Sequence, residues 1–254
     1  MSQPVSIQVL FCDATLLVVN KPAGLPTLPD GYNSALPHVK SVLEKEYDRL
    51  WIVHRLDKDT SGVLLLARTA QGHRLLNTQF EQHQVSKVYH ALVRGKLTWH
   101  DETVDLPLRP NGDRQHRTVV DPQTGKPAVT HFKVLENLGP YCLVEALPET
   151  GRAHQIRAHL SALGLSIVGD KLYTRMNNPE SRQVISSSSR QVESSARRHV
   201  MPAFSLPAGM ALHAFSLEIN HPLSGERLKF TASYPAELIA LFQRLRASVN
   251  MGKA

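Results

Sequence analysis

Three features of the sequence predict an α+β fold around a mixed, largely antiparallel central sheet with flanking helices. Stretches suited to strands outnumber the helical ones. Strands and helices follow one another without β-α-β alternation, and no segment repeats. Residues 6–20 read IQVLFCDATLLVVNK, two apolar stretches around Asp13-Ala14-Thr15, which predicts a β-hairpin. Pro22-Ala23-Gly24-Leu25-Pro26 then imposes a loop. Leu36, Val39, Val42 and Leu43 have helical spacing within 35–47. Residues 51–68 read as strand, turn at Thr60-Ser61-Gly62, and buried strand. Leu75, Leu76 and Phe80 give residues 70–82 an amphipathic helical pattern.

Lys87–Gly95 alternates as a strand does. Further short strands are expected at Thr103–Leu108, Arg117–Val120, Ala128–Glu136 and Tyr141–Leu147, split by Pro and Gly. In residues 153–163, Ile156, Leu160 and Leu163 mark a core face, and Gly164 supplies the stop. Residues 174–206 are polar and rich in Ser and Arg and read as a mobile insertion. Strands resume at Ala211–Ile219 and Leu228–Ala232, and a last helix is expected over about 235–247. The expectation is a single domain, 1–254, with its core over about 10–245.

Lys and Arg total 29 against 22 Asp and Glu, a net of +7. That balance suits a polyanionic partner without establishing one. Cys12 and Cys142 make neither a disulfide framework nor a Cys-rich zinc site, and suit a reducing cytoplasm. Met1–Leu10 lacks a signal-peptide pattern. The strongest apolar run, Val63–Ala67, is far short of the ~20 residues that span a bilayer. Thirteen His residues raise the question of a metal. His154 and His159 are five apart with no Glu between, so they are not a zinc helix. Phosphate-loop, dinucleotide and serine-hydrolase motifs are absent. No metal and no cofactor is expected.

Two polar clusters could carry chemistry. His54-Arg55-Leu56-Asp57-Lys58-Asp59-Thr60-Ser61-Gly62 lies between two hydrophobic strands. If residues 51–57 are extended, Arg55 and Asp57 share a face and Asp57 ends the strand, presented to a cleft. The plain alternative is a polar turn with capping side chains. Thr150-Gly151-Arg152-Ala153-His154-Gln155-Ile156-Arg157 opens the later helix. His154, Arg157 and Ser161 share a face there, able to offer a guanidinium to a carboxylate. The plain alternative is a solvated helix face.

HRLDKDTSGVLLLA at 54–67 and TGRAHQIRAHLSALGLSIVGDKLY at 150–173 resemble the ribosomal large-subunit pseudouridine synthase A (RluA-type) family. VVNKPAGL at 18–25, SKVYHALVRG at 86–95, GKPAVTHF at 125–132 and LHAFSLEINHPLSGERLKF at 212–230 are weaker matches in the same order. The resemblance implies the pseudouridine synthase catalytic fold with a central active-site cleft. It implies Asp57 as catalytic aspartate, Tyr89 as the ring stacking on the target base, and Arg157 as the cation paired with the aspartate. It further implies Arg55 occupying the space of a flipped-out base and Ile156 packing near the tyrosine. His54, Arg152 and Lys87 complete the expected substrate-binding set. No separate N-terminal RNA-binding module is expected, unlike some relatives.

The chemistry suits these residues. Isomerising uridine breaks N1–C1′ and joins C5 to C1′, which needs no redox or phosphoryl energy. It needs a carboxylate able to add to C1′ or to stabilise positive charge there. The expected partner is structured RNA, ribosomal or transfer, bound by a cytoplasmic monomer with no membrane and no obligate protein partner. Lys21, Lys87, Arg114, Arg117, Lys171 and the arginines of 182–198 are candidates for phosphate contacts. An inactive RNA-binding or ribosome-assembly protein on the same fold, and a carboxylate-based nucleoside glycosidase using Asp57 with Asp59 or Glu149, are the competing readings.

Overall fold

Asp13 begins the fold as its position suggests. Its Oδ1 accepts the amides of Thr15 and Leu16 at 2.7 and 2.6 Å, an Asx turn that joins β1 (Gln8–Cys12) to antiparallel β2 (Leu16–Lys21). The computed structural model describes residues 6–29, 33, 35–173 and 209–251. The expected insertion at 174–206, with its arginines, lies outside the described residues. The chain divides into two compact units, Met1–Tyr89 with Leu212–Ala236, and His90–Ala211 with Glu237–Ala254.

In the first unit, β2 pairs antiparallel with β4 (Ser61–Ala67), and β3 (Trp51–Ile52) pairs with β4. β12 (Leu212–Asn220) runs parallel to β4 and antiparallel to β13 (Arg227–Thr231). Both faces of β2 and β4 are buried, so their sequences are continuous apolar runs. Leu16, Val18, Val63 and Leu65 point to one side, with Leu76 of α2 (Ala70–Glu81). Leu17, Val19, Leu64 and Leu66 point to the other, with Val39 and Leu43 of α1 (Val39–Leu43). Period-two alternation thus assigns each residue a layer.

Two expectations here need correction. The helix of 35–47 is confined to Val39–Leu43, opened by a capping box between His38 and Ser41. The Glu44 carboxylate accepts the Leu50 amide at 2.8 Å, tying the following turn to itself. The strand of 51–57 stops at Ile52, and Ser61-Gly62 begin β4 rather than turning before it. Arg55 and Asp57 therefore lie on a loop.

The second unit holds β5 (Ser86–Arg94) from His90 onward, beside β10 (Tyr141–Pro148). β9 (Val129–Leu138) pairs antiparallel with β10, and β6 (Asp101–Asp105) with β9. β7 (Leu108–Arg109) and β8 (Val119–Val120) form a separate two-stranded hairpin. β11 (Ser166–Ile167) pairs with β5. α3 (Gln155–Ala162) follows β10, and α4 (Ala236–Met251) closes the chain.

Every residue of α3 from Gln155 to Ser161 is buried. The helix was expected to bury one stripe; tertiary partners bury its polar residues too. His159 is 0% exposed, with its ring nitrogens at 2.9 Å from Thr130 Oγ1 and 3.0 Å from the Leu106 carbonyl. No helix among the described residues is long and apolar enough to cross a membrane.

Candidate active site

The Asp57 loop is held by its neighbours' backbone. Leu56 is buried in the α1-side cluster, an anchor of about 1.5–3 kcal/mol. Thr27 Oγ1 donates to the Leu56 carbonyl at 2.9 Å and accepts its amide at 3.2 Å. On the other side, the Lys58 carbonyl accepts from the Gly24 amide at 2.9 Å and from Lys21 Nζ at 3.0 Å. The Thr60 amide donates to the Asp57 carbonyl at 3.1 Å. Asp57, half-buried, sits between two pinned residues, with Arg55, Lys58 and Asp59 exposed around it.

Lys21 is the centre of this clamp, and its expected role as a phosphate contact is corrected. It is 0% exposed, and Nζ also donates to the carbonyls of Pro22 and Leu25 at 2.9 and 2.7 Å. Burial pushes its ammonium down to about 7, against the charges of Asp59 and Asp57.

A second fixation lies where β4 begins. Ser61 Oγ and His213 Nδ1 are 2.8 Å apart, and His213 Nε2 lies 3.2 Å from the Ala232 carbonyl. A carbonyl can only accept, so Nε2 carries the proton and Nδ1 accepts from the serine. Gly62 has φ +114°, and a Cβ there would lie 2.2 Å from the Ala214 carbonyl oxygen. The close parallel approach of β4 and β12 thus requires glycine.

Tyr89 packs against the cluster that holds Leu56. Its phenol is pushed far up by burial, with the Asp57 charge adding to the rise. It is a neutral ring at any working pH. His54 stacks on Phe80 with centroids 5.0 Å apart, and its Nε2 accepts the Leu65 amide at 3.1 Å. Burial lowers His54 to about 3, with the charge of Lys87 contributing, so the ring is neutral. Lys87 is half-buried and lowered to about 8 by burial. Asp57, Tyr89, His54, Lys87 and Arg55 thus all belong to the first unit.

Arg152, Ile156 and Arg157 belong to the second. Gln155 organises the approach to α3. Its Oε1 accepts Thr150 Oγ1–H at 2.7 Å and the Arg152 amide at 2.9 Å, while Nε2 donates to the Val129 carbonyl at 2.9 Å. Arg152 Nε donates to the Pro127 carbonyl at 3.0 Å. Ile156 is buried. Arg157 is 9% exposed, and its Nε and Nη2 donate to Asp170 at 2.7 and 3.0 Å. Its Cζ lies 4.8 Å from the centroid of Tyr173. The guanidinium on this helix face meets the carboxylate of Asp170.

Lys21, His213, Asp170 and Tyr173 were not singled out from the sequence for the parts they play. One signal was available: Gly169-Asp170 is turn chemistry, and Asp170 Oδ1 accepts the amides two and three residues on, as in an Asx turn.

Residues 15–162 match the sequence profile of a family described as RNA pseudouridylate synthase. The chain belongs to that family. It is 35% identical to ribosomal large subunit pseudouridine synthase D of Pseudomonas aeruginosa over 256 residues, covering 97% of this chain and 74% of that one. The enzyme of the same name from Zymomonas mobilis is also 35% identical, with 97% and 75% covered. The solved structure of human RNA pseudouridylate synthase domain containing 4 superposes with a TM-score of 0.71 at 26% identity, covering 94% of this chain and 93% of that one. The fold is accordingly the α+β fold of RNA pseudouridine synthases, and the protein is an RNA isomerase of that kind.

Proposed function

We propose that this pseudouridine synthase isomerises uridines in large-subunit ribosomal RNA or transfer RNA, with Asp57 as the catalytic carboxylate. The observation that carries the assignment is the clamp around Asp57: Leu56 and Lys58 are both pinned by Lys21, Gly24 and Thr27. A backbone so constrained fixes the origin of one half-buried carboxylate. The ribosomal part of the substrate assignment draws on relatives named for the large ribosomal subunit.

In this reading the Asp57 carboxylate adds to C1′, or stabilises positive charge there, as N1–C1′ breaks. The uracil turns, C5 bonds to C1′ as any Asp57–C1′ bond breaks and frees the carboxylate, the C5 proton leaves to water, and N1 takes up a proton. Tyr89 stacks on the extruded base, returning about 1–3 kcal/mol of the few kcal/mol that extrusion costs. A phenol so far from ionisation stacks and donates rather than acting as a base at neutral pH. Arg157 is assigned as the cation balancing the carboxylate, as the family resemblance implies, and Arg55 as the residue filling the vacated stack. His54 and Lys87 support the loop and the phosphates beside it. The protein acts as a cytoplasmic monomer.

The test uses uracil-C5-tritiated transcripts of large-subunit ribosomal RNA and transfer RNA. The wild type is expected to release tritium to water and leave the chain intact. Asp57→Asn is expected to slow release by about 10³-fold or more while retaining RNA affinity. Release by Asp57→Asn at the wild-type rate would overturn the assignment. Free uracil with abasic sites would identify a glycosidase instead.

A further inference from the structure

The strongest unexplained arrangement is the setting of Arg157. Asp170, 2% exposed, receives Nε–H and Nη2–H along one edge of the guanidinium. Asp170 Oδ1 also accepts the amides of Leu172 and Tyr173 at 2.9 and 3.1 Å, so the carboxylate is locked in its own turn. Tyr173, 3% exposed, covers the guanidinium face. Its hydroxyl donates to the Thr118 carbonyl at 3.1 Å and accepts the Thr118 amide at 2.9 Å. His154 Nδ1 lies 3.3 Å from the same oxygen, with the two rings edge to face. The ring therefore has a fixed tilt set by Thr118, which adjoins β8.

A guanidinium buried for stability needs a carboxylate of good geometry and hydrogen bonds to its remaining donors, and a ring over its face satisfies none of them. Here the edge fixes rotation within the plane, and the ring fixes the plane itself. The ring in turn is fixed by a hydroxyl with both of its roles filled. Burial raises that phenol to about 12, so the donor stays in place across the working pH range.

We propose that Asp170 and Tyr173 are positioning residues for the isomerisation, holding Arg157 in its reactive orientation before RNA arrives. Tyr173 makes that orientation depend on the β7–β8 hairpin. The inference rests on the role assigned to Arg157 above. Preset orientation lowers the barrier without adding a contact to the substrate. Loss of the holder is thus expected in the rate of the chemical step rather than in RNA affinity.

Two measurements on the full chain test it. The first follows the Arg157 Nε–H resonance by nitrogen-15 NMR, assigned by its disappearance in Arg157→Lys. It is expected to exchange slowly in the wild type. Tyr173→Leu should shift it, through loss of the ring, and speed its exchange; Asp170→Asn should speed exchange further. An unchanged resonance in both variants would overturn the holder.

The second compares single-turnover tritium release with RNA dissociation constants. Tyr173→Leu is expected to slow release about 10- to 100-fold, with affinity changed less than about threefold. Tyr173→Phe, which keeps the ring and loses the hydroxyl, should recover most of the rate. Should Tyr173→Leu fail to fold, Tyr173→Phe carries the test, with about a threefold slowing expected. A rate lost in Arg157→Lys but kept in the Tyr173 variants overturns this inference alone. A rate that survives Arg157→Lys overturns the assigned role of Arg157 and this inference with it.

Discussion

Each unit buries a cation, and the two do so differently. Lys21 in the first unit gives its three donors to the neutral carbonyls of Pro22, Leu25 and Lys58. Arg157 in the second meets the full negative charge of Asp170 and the face of Tyr173. The difference follows from the two side chains. An ammonium can lose its proton when desolvation becomes too expensive, and Lys21 is driven down to about 7. A guanidinium cannot, so it must be given a counter-ion. Neutral dipoles suffice to hold a loop in place, whereas a group kept permanently charged demands an ionic partner.

The comparison breaks most visibly at Asp170. Asp170→Ala leaves Arg157 buried without this carboxylate and is expected to destabilise the fold by about 3–5 kcal/mol. Urea unfolding of the two proteins measures it, and a loss under 1 kcal/mol would mean the pair is better solvated than its burial indicates. Lys21→Met should have a smaller effect, about 2–3 kcal/mol. It removes the desolvation penalty of the ammonium but takes a donor from the buried Leu25 carbonyl and the part-buried Pro22 carbonyl, while the Lys58 carbonyl keeps the Gly24 amide. The same variant should reduce turnover by loosening the Asp57 loop, read from tritium release.

Lys21 also makes the stability respond to pH. An unfolded lysine titrates near 10.4, so between about pH 7 and 10 the unfolded chain holds a proton that the folded chain has lost. Stability of the wild type relative to Lys21→Met should therefore rise with pH across that window and level off below it. Urea unfolding at pH 7, 8.5 and 10 checks the sign, and a falling difference would rule out a depressed Lys21. The smallest effect belongs to the neutral Ser61–His213 contact. Ser61→Ala should cost about 1–2 kcal/mol by thermal or urea unfolding, since His213 Nδ1 loses this hydrogen bond.

The hairpin around Asp13, the buried strand after Gly62 and the helix over Ala70–Glu81 were all legible, because periodicity and turn chemistry act between near neighbours. The end of β3 was not. Residues 53–60 carry a strand-like start, but the backbone on either side of Asp57 is claimed by Thr27, Gly24 and Lys21, some 30 or more residues away. The site divides in the same manner. HRLD and HQIR pointed to Asp57 and Arg157 by resemblance, yet neither motif reveals that Lys21 is a clamp rather than a phosphate contact.

By itself the sequence determined which segments alternate, which turn, and which family's motifs they carry, because those properties reside in residue type and local spacing. Tertiary structure alone decided the protonation and burial of the charged groups. Desolvation and partner geometry depend on what the rest of the chain brings to each atom. Arg157 could have been a solvated helix residue; Asp170 and Tyr173, 13 and 16 positions further along the chain, make it a buried and oriented one.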